Sequence, residues 1–445
     1  MSSVAIVGGG VLGMTLAARL AQAGHRVTLL EAAPVTGGLA SACRHGDVTW
    51  DRFYHVILMS DRRLLALLDE LGLADALRWG TTRTGFYVDG KLHSLSTSLD
   101  FARFPPLSLV DKARLAWTIT YASRVRDSRA LEQVPVSDWL RRLSGHRVFE
   151  RIWLPLLRAK LGENYRDASA AFIWAIIARM YAARRSGLKR ERFGHVEGGY
   201  AVVLERLQRH VDRLGVVTRV GHPVREVRAE RGGVAVDGPD GSATFDHAVL
   251  TVPCGRIAAL VPQLSNIEKA RLRSVTYQGI ACASLLLRRP LAGYYVTNIT
   301  DDWVPFTGVI EMTALVDPVT FGGRHLVYLP RYLTQDDPFW TLDDESIRKR
   351  FLSALVRMYP SFRREDVLAF EVSRVREVLA VSTLHYSTER LPPLSTSVPG
   401  VHVVNSAQIA QGTLNVNETV TLAEQQAVAL LEVLERPSVA TGAAA

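Results

Sequence analysis

Three glycines near the N-terminus have the spacing that lets a chain hold a phosphorylated ligand against its backbone. Gly8, Gly10 and Gly13 form a G-x-G-x-x-G pattern between an apolar run at residues 4–7 and a run with helical periodicity. In this pattern the glycines allow a tight turn, close approach to a pyrophosphate and close helix-to-strand packing. The N–H groups of the following helix would face the phosphates. The sequence therefore predicts a dinucleotide site here.

An acidic residue and a second pair of glycines follow at the positions that an extended cofactor needs. Glu31 ends the second predicted strand, where its carboxylate can accept hydrogen bonds from an adenosine ribose. Gly37 and Gly38 let a further stretch of backbone approach the ligand closely. Strand, glycine turn, helix and acid come in the expected order, which makes a merely structural turn a poor explanation.

This arrangement resembles the flavoprotein superfamily of amine oxidases, protoporphyrinogen oxidases, phytoene desaturases and UDP-galactopyranose mutases, in which it binds FAD. The resemblance extends over residues 1–435. Residues 196–200 (VEGGY) and the later Val224 resemble the family's second FAD-binding portion, which implies that the Val224 backbone contacts the adenine. No second G-x-G-x-x-G follows a strand, which disfavours enzymes with separate FAD and NAD(P)H modules.

The C-terminal part, residues 401–419, resembles the family's flavin segment. Many relatives have Gly-Asp where this chain has Asn405 and Ser406. The resemblance implies that Asn405 hydrogen-bonds the ribityl or phosphate region. A helix that begins near Asn415 and Val416 would direct its N-terminus towards the flavin and stabilise the charge of its reduced form.

Three residues are candidates for catalysis. His55, in the segment DRFYH, lies where the chain returns towards the cofactor and is a candidate acid, base or hydrogen-bond donor, or a structural histidine. Glu311 lies in an apolar stretch, and Arg331 lies between two tyrosines. Because a buried charge is costly unless it is paired, these two belong to a substrate pocket or form an ion pair with each other.

Basic residues give the chain a net charge of +9. Arg158 and Lys160 either face an anionic substrate or flank a core helix. A larger group follows and is either a solvated surface or a site for an anionic substrate or membrane; it comprises Arg179, Arg184, Arg185, Lys189, Arg190 and Arg192. No nucleic-acid recognition module accompanies this charge, so nucleic acid is not an expected partner.

The cysteines predict neither a metal site nor a disulfide framework. Cys43, Cys254 and Cys282 lie far apart, without C-x-x-C spacing. The longest apolar run, residues 170–183, contains Arg179 and is too short to span a bilayer. The chain opens directly into a strand without a basic leader, which favours a cytoplasmic location, with peripheral membrane contact left open.

The elements that must position these residues indicate an α/β fold. We expect a Rossmann-like FAD-binding domain built from the discontinuous segments 1–80, 195–275 and 395–435. An α+β substrate-binding domain, residues 81–194 and 276–394, would be inserted between them. Within it, a hairpin is predicted around Asp89-Gly90 and one continuous helix over residues 148–161. Residues 436–445 are expected to be disordered.

The expected function is FAD-dependent dehydrogenation of an organic substrate in the anionic or amphipathic class. Three alternatives remain. One is a non-redox sugar-nucleotide mutase that resembles UDP-galactopyranose mutase; another is a carotenoid-type desaturase at a membrane surface. The third is a flavin-binding protein without turnover. The sequence leaves the substrate and the oligomeric state undetermined.

Overall fold

The computed structural model describes residues 1–184, 192–410 and 412–435. Its helices are α1 (Val11–Gln22), α2 (Arg62–Glu70), α3 (Ser98–Arg103), α4 (Leu109–Ala122), α5 (Val136–Ser144), α6 (His146–Val148), α7 (Leu154–Leu161), α8 (Ala170–Arg184), α9 (Gly199–Arg213), α10 (Cys254–Leu260), α11 (Asn266–Arg273), α12 (Asp344–Met358), α13 (Tyr386–Glu389) and α14 (Val416–Leu434). The tail predicted at residues 436–445 lies outside the described residues.

The first strands along the chain are β1 (Ser3–Val7), β2 (Arg26–Leu30), β3 (Ala42–His45), β4 (Val48–Asp51), β5 (Ile57–Leu58), β6 (Leu77–Thr81), β7 (Thr84–Val88), β8 (Lys91–Ser94), β9 (Arg192–Val196) and β10 (Val217–Arg219). The later ones are β11 (Glu226–Glu230), β12 (Gly233–Gly238), β13 (Gly241–Phe245), β14 (His247–Leu250), β15 (Tyr277–Leu287), β16 (Val296–Ile299), β17 (Gly308–Glu311), β18 (His325–Leu333), β19 (Val367–Ala380) and β20 (Val401–Val403).

A parallel sheet with the strand order β10-β2-β1-β14-β20 brings together three distant parts of the chain. Its apolar strands are buried because helices α1, α9 and α14 cover one face and the antiparallel sheet β11-β12-β13 covers the other. Such a layered arrangement leaves the carboxyl ends of the strands free to hold a ligand. The glycine turn follows β1 at this edge.

A second, seven-stranded sheet has the order β19-β15-β18-β17-β16-β7-β8. Helix α12 packs on one face of it through Phe351 and Leu355. The other face carries Ile280, Cys282 and Tyr328, and packs towards β4 and the cofactor edge of the parallel sheet. Helices α4 to α8 form a separate apolar core centred on Trp139 and Phe149. This half of the fold supplies the wall opposite the glycine turn.

The predicted α/β architecture is confirmed, and several elements follow the sequence pattern closely. The hairpin β7–β8 turns at Asp89 and Gly90, which both have positive φ, as the Asp-Gly signal predicts. Residues 148–161 are helical, as predicted, but they do not form one continuous α-helix. A π-helical turn, Phe149–Trp153, interrupts the α-helical stretch immediately before Pro155, whose ring cannot enter a regular helix interior.

Candidate cofactor and active site

The glycine turn connects β1 to α1 in the conformation that its residue types allow. Gly8 has φ of 115°, which is unfavourable for other residues. A Cβ at Gly13 would overlap the carbonyl oxygen of Gly8, so helix and strand approach as closely as the pattern predicts. The backbone N–H of Gly37 donates to the carbonyl of Gly9 at 2.8 Å, which fixes the second glycine pair beside the first turn.

Gly10 is the position at which the backbone is open to a ligand. A Cβ built there would lie 3.9 Å from its nearest neighbour, the Cα of Gly38, so no protein atom fills this space. Among the described residues, no side chain caps the first turn of α1. Its N–H groups are therefore available to an anion, and the helix dipole adds to the attraction. The backbone here fits a pyrophosphate.

Glu31 lies at the carboxyl end of β2, beside this turn. Its Oε2 accepts a hydrogen bond from the Gly9 N–H at 2.7 Å and its Oε1 accepts one from the Ala33 N–H at 2.8 Å. The carboxylate retains lone pairs for a ribose, because each oxygen can accept more than one bond. Val224 is two residues beyond His222, whose N–H donates to the Glu31 carbonyl at 2.8 Å. Val224 is therefore close to the same edge.

One cavity of about 550 Å³ extends from Gly10 and Gly37 towards the second sheet. Its lining is mostly apolar and includes Phe172, Ile176, Met180 and Phe193. A few polar groups converge on it, as is typical of small-molecule sites; these are His55, Tyr54, Lys160, Arg179, Tyr332, Ser406 and Asn415. The lining residues extend from the cofactor edge to a substrate region, so the cavity connects the two.

Helix α14 begins at this cavity, and Asn415 and Val416 both line it. The Asn415 side chain caps the helix by accepting from the Glu418 N–H at 3.0 Å, which aligns the N-terminus with the cavity. Asn405 differs from the expectation. Its buried amide donates to the Val252 carbonyl at 3.0 Å and accepts from the Ala407 N–H at 3.1 Å, so it joins two loops. Ser406, instead, lines the cavity.

His55 lines the cavity, and Asp51 lies behind it. The imidazole Nδ1 is 3.7 Å from the Asp51 carboxylate and has no hydrogen-bond partner among the described residues. The Asp51 carboxylate also accepts from the Tyr200 N–H at 2.7 Å, which holds it in place. This arrangement suits a histidine that donates to or accepts from a bound ligand.

A cluster that joins Lys160 to two tyrosines, neither of which the sequence marked as a candidate, lies on the same cavity wall. The hydroxyl groups of Tyr54 and Tyr332 are 3.0 Å apart, and the Lys160 ammonium lies 3.5 Å from the centroid of the Tyr332 ring. Burial raises the pKa of the Tyr54 hydroxyl well above its usual range, with a further contribution from Tyr332. We call these three residues the Lys–Tyr cluster. They are the groups best placed to bind a polar substrate group.

Among the members of the basic group whose side chains the structure describes, Arg179 is the one that lines the cavity. It forms an ion pair with Asp61 at 3.1 Å, so its charge is largely compensated. Burial raises the pKa of the Asp61 carboxyl, and Arg179 opposes this shift. Arg192 lies in β9. Outside the described residues lie Arg185, Lys189, Arg190 and the side chain of Arg184.

Arg331 and Glu311 do not lie together, so of the two alternatives predicted for them the ion pair with each other is wrong. Arg331 lines a separate groove of about 910 Å³, where it is 3.6 Å from Asp337. Glu311 accepts hydrogen bonds from four consecutive backbone N–H groups, Leu291 to Tyr294, at 3.0 to 3.2 Å. Burial raises the pKa of the Glu311 carboxyl, and these four bonds oppose that shift, which is the arrangement of a structural carboxylate. Arg158, also in the groove, lies apart from Lys160.

Helix and strand geometry explains these separations. Lys160 and Arg158 are two positions apart on α7 and therefore project about 200° apart around the helix. Arg331 and Tyr332 are neighbours on β18 and point to opposite sides of the strand. Tyr332 borders both the cavity and the groove. Side chains alternate between the two sides of a strand along residues 328–332 (YLPRY). This alternation is the sequence signal that could have identified Tyr332, instead of Arg331, as a residue of the cavity.

Two further observations concern the described residues as a whole. None of their helices combines the length and apolarity that a membrane crossing requires. No group of three or more His, Cys, Asp or Glu side chains among them is arranged to hold a metal ion. Cys43, Cys254 and Cys282 are free thiols.

Comparison with known proteins finds relatives among oxidases and desaturases. Coproporphyrinogen III oxidase of Mycobacterium tuberculosis is 28% identical over 303 residues, which cover 64% of this chain and 66% of the relative, just under two thirds of its length. Zeta-carotene desaturase of Synechocystis sp. is 23% identical, with 84% of this chain and 86% of the relative covered.

The fold has a close solved counterpart in cyclohexylamine oxidase of Brevibacterium oxydans. The two superpose with a TM-score of 0.72 at 17% identity, over 98% of this chain and 100% of the other. At this identity the likeness concerns the fold alone. The flavin containing amine oxidoreductase family matches residues 13–430. The chain therefore belongs to the flavin containing amine oxidoreductases.

Proposed function

We propose that this chain uses FAD to dehydrogenate an organic substrate that has an apolar body and an anionic group. The observation that carries the proposal is the continuous cavity between the open backbone at Gly10 and the Lys–Tyr cluster. Residues 1–80, 195–275 and 395–435 would hold the cofactor, and residues 81–194 and 276–394 would hold the substrate.

FAD rather than FMN is favoured because the glycine turn and Glu31 are built for an adenosine diphosphate. The N–H groups at the start of α1 would bind the pyrophosphate, Glu31 the ribose, and the N-terminus of α14 the flavin ring. FAD, when bound, supplies the group that accepts two electrons when a C–H bond of the substrate is broken. His55 would orient the bound ligand, with the Asp51 carboxylate 3.7 Å from its Nδ1.

The lining of the cavity supports the choice of substrate class. Lys160 has its ammonium group over the Tyr332 ring, and no carboxylate lies within ion-pair distance of it among the described residues. A carboxylate or phosphate on the substrate would compensate this charge, whereas an amine would be repelled. A fully apolar carotenoid would bury the ammonium without a partner, which is costly. Phe172, Ile176 and Phe193 would pack against the apolar body.

The first test is the identity of the cofactor. Purified protein should be yellow and release FAD, not FMN, on heat denaturation, as resolved by liquid chromatography. FMN alone, or no flavin after reconstitution with excess FAD, would contradict the proposal. Under anaerobic conditions NADH and NADPH should bleach the flavin slowly; rapid, saturable bleaching would indicate a reductase instead.

The second test compares substrate classes by anaerobic stopped-flow reduction. Coproporphyrinogen III, which carries carboxylates, should reduce the flavin with saturation, whereas cyclohexylamine should not. Lys160→Met should raise the apparent dissociation constant for the anionic reductant about 10- to 100-fold, the scale of a charge-assisted contact. Arg158→Met is the matched control, because it removes a cation two residues away that lines the groove instead.

The outcome separates the alternatives. Equal effects of the two substitutions would show that Lys160 does not bind the substrate. Rapid bleaching by cyclohexylamine would favour an amine substrate. Flavin that no organic reductant bleaches, with an absorbance spectrum perturbed by UDP-galactose, would favour the non-redox mutase. No response to any of these compounds would favour a flavin-binding protein without turnover.

A further inference from the structure

The outward side of helix α4 is apolar, although it faces solvent. The exposed fractions are 80% for Leu109, 62% for Val110, 56% for Trp117 and 37% for Tyr121. Leu99 on the adjacent α3 is 57% exposed. We call these five residues the α3–α4 apolar face. A contiguous group of large exposed apolar side chains is uncommon on a monomer surface and marks an interaction site.

Helix α4 departs from the pattern of an ordinary surface helix, because it has large apolar residues on its outward side and two polar residues on its inward side. Its inward side carries Asp111 and Thr118, which are buried. The Thr118 hydroxyl pairs with that of Ser144 at 2.7 Å, and Asp111 caps the helix through Ser108. A surface helix normally directs its apolar stripe to the core and its polar residues to water. Ala122 is buried in the core of α4 to α8, and Leu115 and Ile119 pack against that core. The exposed residues Leu109, Val110, Trp117 and Tyr121 are therefore a second apolar group, which the core of the described residues does not use.

Cations flank this face, while its acids are withdrawn from it. Residues 98–129 contain six basic residues, Arg103, Lys112, Arg114, Arg124, Arg126 and Arg129, and three acidic ones. Two of these acids, Asp100 and Asp111, bond the N-termini of α3 and α4 in capping boxes. Only the carboxylate of Asp127 remains outside such a box. The surroundings of the face are thus positive, as an anionic partner requires.

We propose that the α3–α4 apolar face binds the surface of an anionic lipid bilayer. Trp117 and Tyr121 are amphipathic side chains that favour the headgroup level, and arginine and lysine stems can extend from it to lipid phosphates. Helix α4 has 14 residues and is about 21 Å long, shorter than the hydrocarbon core of about 30 Å, so it lies in the plane of the interface.

The position of α4 in the fold gives this binding a consequence. Its neighbour α8 contacts it through Trp174, whose indole N–H donates to the Ala122 carbonyl at 3.1 Å. Ile176 and Met180 of α8 line the cavity. Packed helices have axes about 8–10 Å apart, so a docked membrane would lie one helix away from the cavity. Exchange of an amphipathic substrate between the bilayer and the cavity rests on the proposed function, whereas binding of the protein to the membrane does not.

The test is co-sedimentation of the flavin-loaded, full-length protein with vesicles of phosphatidylcholine containing 30% phosphatidylglycerol, about the proportion of an anionic leaflet. We expect binding at 50 mM salt, at least tenfold weaker binding to pure phosphatidylcholine, and dissociation on raising the salt to about 0.5 M. Equal or absent binding to the two vesicle types would overturn the proposal.

Variants localise the contact. L109S/W117S should lower the vesicle partition coefficient at least tenfold while flavin content and circular dichroism stay unchanged. The matched control is I267S/V319S, because Ile267 and Val319 are each 78% exposed on other elements. The control should bind as the unmodified chain does. Equal binding by both variants, or equal loss in both, would overturn the assignment.

Quenching by brominated acyl chains adds an independent measurement. W117F should bind vesicles with its tryptophan quenching reduced, because Trp117 enters the lipid, and unchanged quenching would contradict this placement. Gel filtration distinguishes lipid binding from self-association. A dimer that L109S/W117S converts to a monomer would assign the face to self-association and overturn lipid binding.

Discussion

Replacing Gly10 with alanine should weaken cofactor binding without destabilising the folded chain. Gly10 has φ of −70° and ψ of 175°, which alanine adopts freely, and the new Cβ would meet no atom closer than 3.9 Å. At a compatible position this exchange leaves the free energy of unfolding unchanged or raises it by about 0.4–1 kcal/mol. The added methyl group instead occupies the space proposed for the pyrophosphate.

The loss of affinity can be bounded from the hydrogen bonds involved. A hydrogen bond to a charged group contributes about 1.5–3 kcal/mol. Displacing one such bond between the phosphates and the first turn of α1 would raise the dissociation constant for FAD about 10- to 150-fold. Titration of apoprotein by flavin fluorescence quenching measures this constant, and urea unfolding of the apoprotein measures its stability.

Gly13→Ala is the contrasting variant. Its Cβ would overlap the Gly8 carbonyl oxygen, a backbone atom that cannot rotate away. We therefore expect the apoprotein to lose about 1–3 kcal/mol of unfolding free energy, the usual cost of overpacking. A Gly10→Ala variant that binds FAD normally, or one that unfolds as readily as Gly13→Ala, would refute the reasoning.

Three further predictions concern single side chains. Glu31→Ala should weaken FAD binding by about 1.5–3 kcal/mol, and it should also destabilise the apoprotein, because Gly9 and Ala33 lose their acceptor; unchanged flavin retention would contradict this. Glu311→Gln should lower the free energy of unfolding by about 1.5–3 kcal/mol with flavin content intact, whereas lost flavin reduction at full stability would restore a catalytic role. Arg179→Met should make the free energy of unfolding fall as pH rises from the pKa of Asp61 in the unfolded chain, about 3.9, to its higher pKa in the native chain, because burial raises the native pKa and the native state binds more protons over this range. In Arg179→Met/Asp61→Asn this pH dependence should vanish in urea titrations; its persistence would assign it to another group.

The sequence predicted those features that depend on residues close together in the chain. The glycine turn needs only a strand, three glycines and a helix, and the close contact between Gly13 and the Gly8 carbonyl oxygen lies within that unit. The caps and turns are equally local: the β7–β8 hairpin follows from Asp89 and Gly90. The α/β class follows from the spacing of apolar residues. This spacing has a period of about two in the predicted strands and about 3.6 in the predicted helices, and strands and helices follow one another along the chain.

Only the tertiary structure decided which side chains share the cavity. Tyr54 and Tyr332 are 278 residues apart, and their contact depends on how β18 packs against the segment after β4. Sequence pattern marked Glu311 and Arg331 as costly charges, but it could not show that four backbone N–H groups satisfy the first and that a separate groove holds the second. A buried charge requires compensation from a nearby group, and the tertiary structure determines which group lies near it.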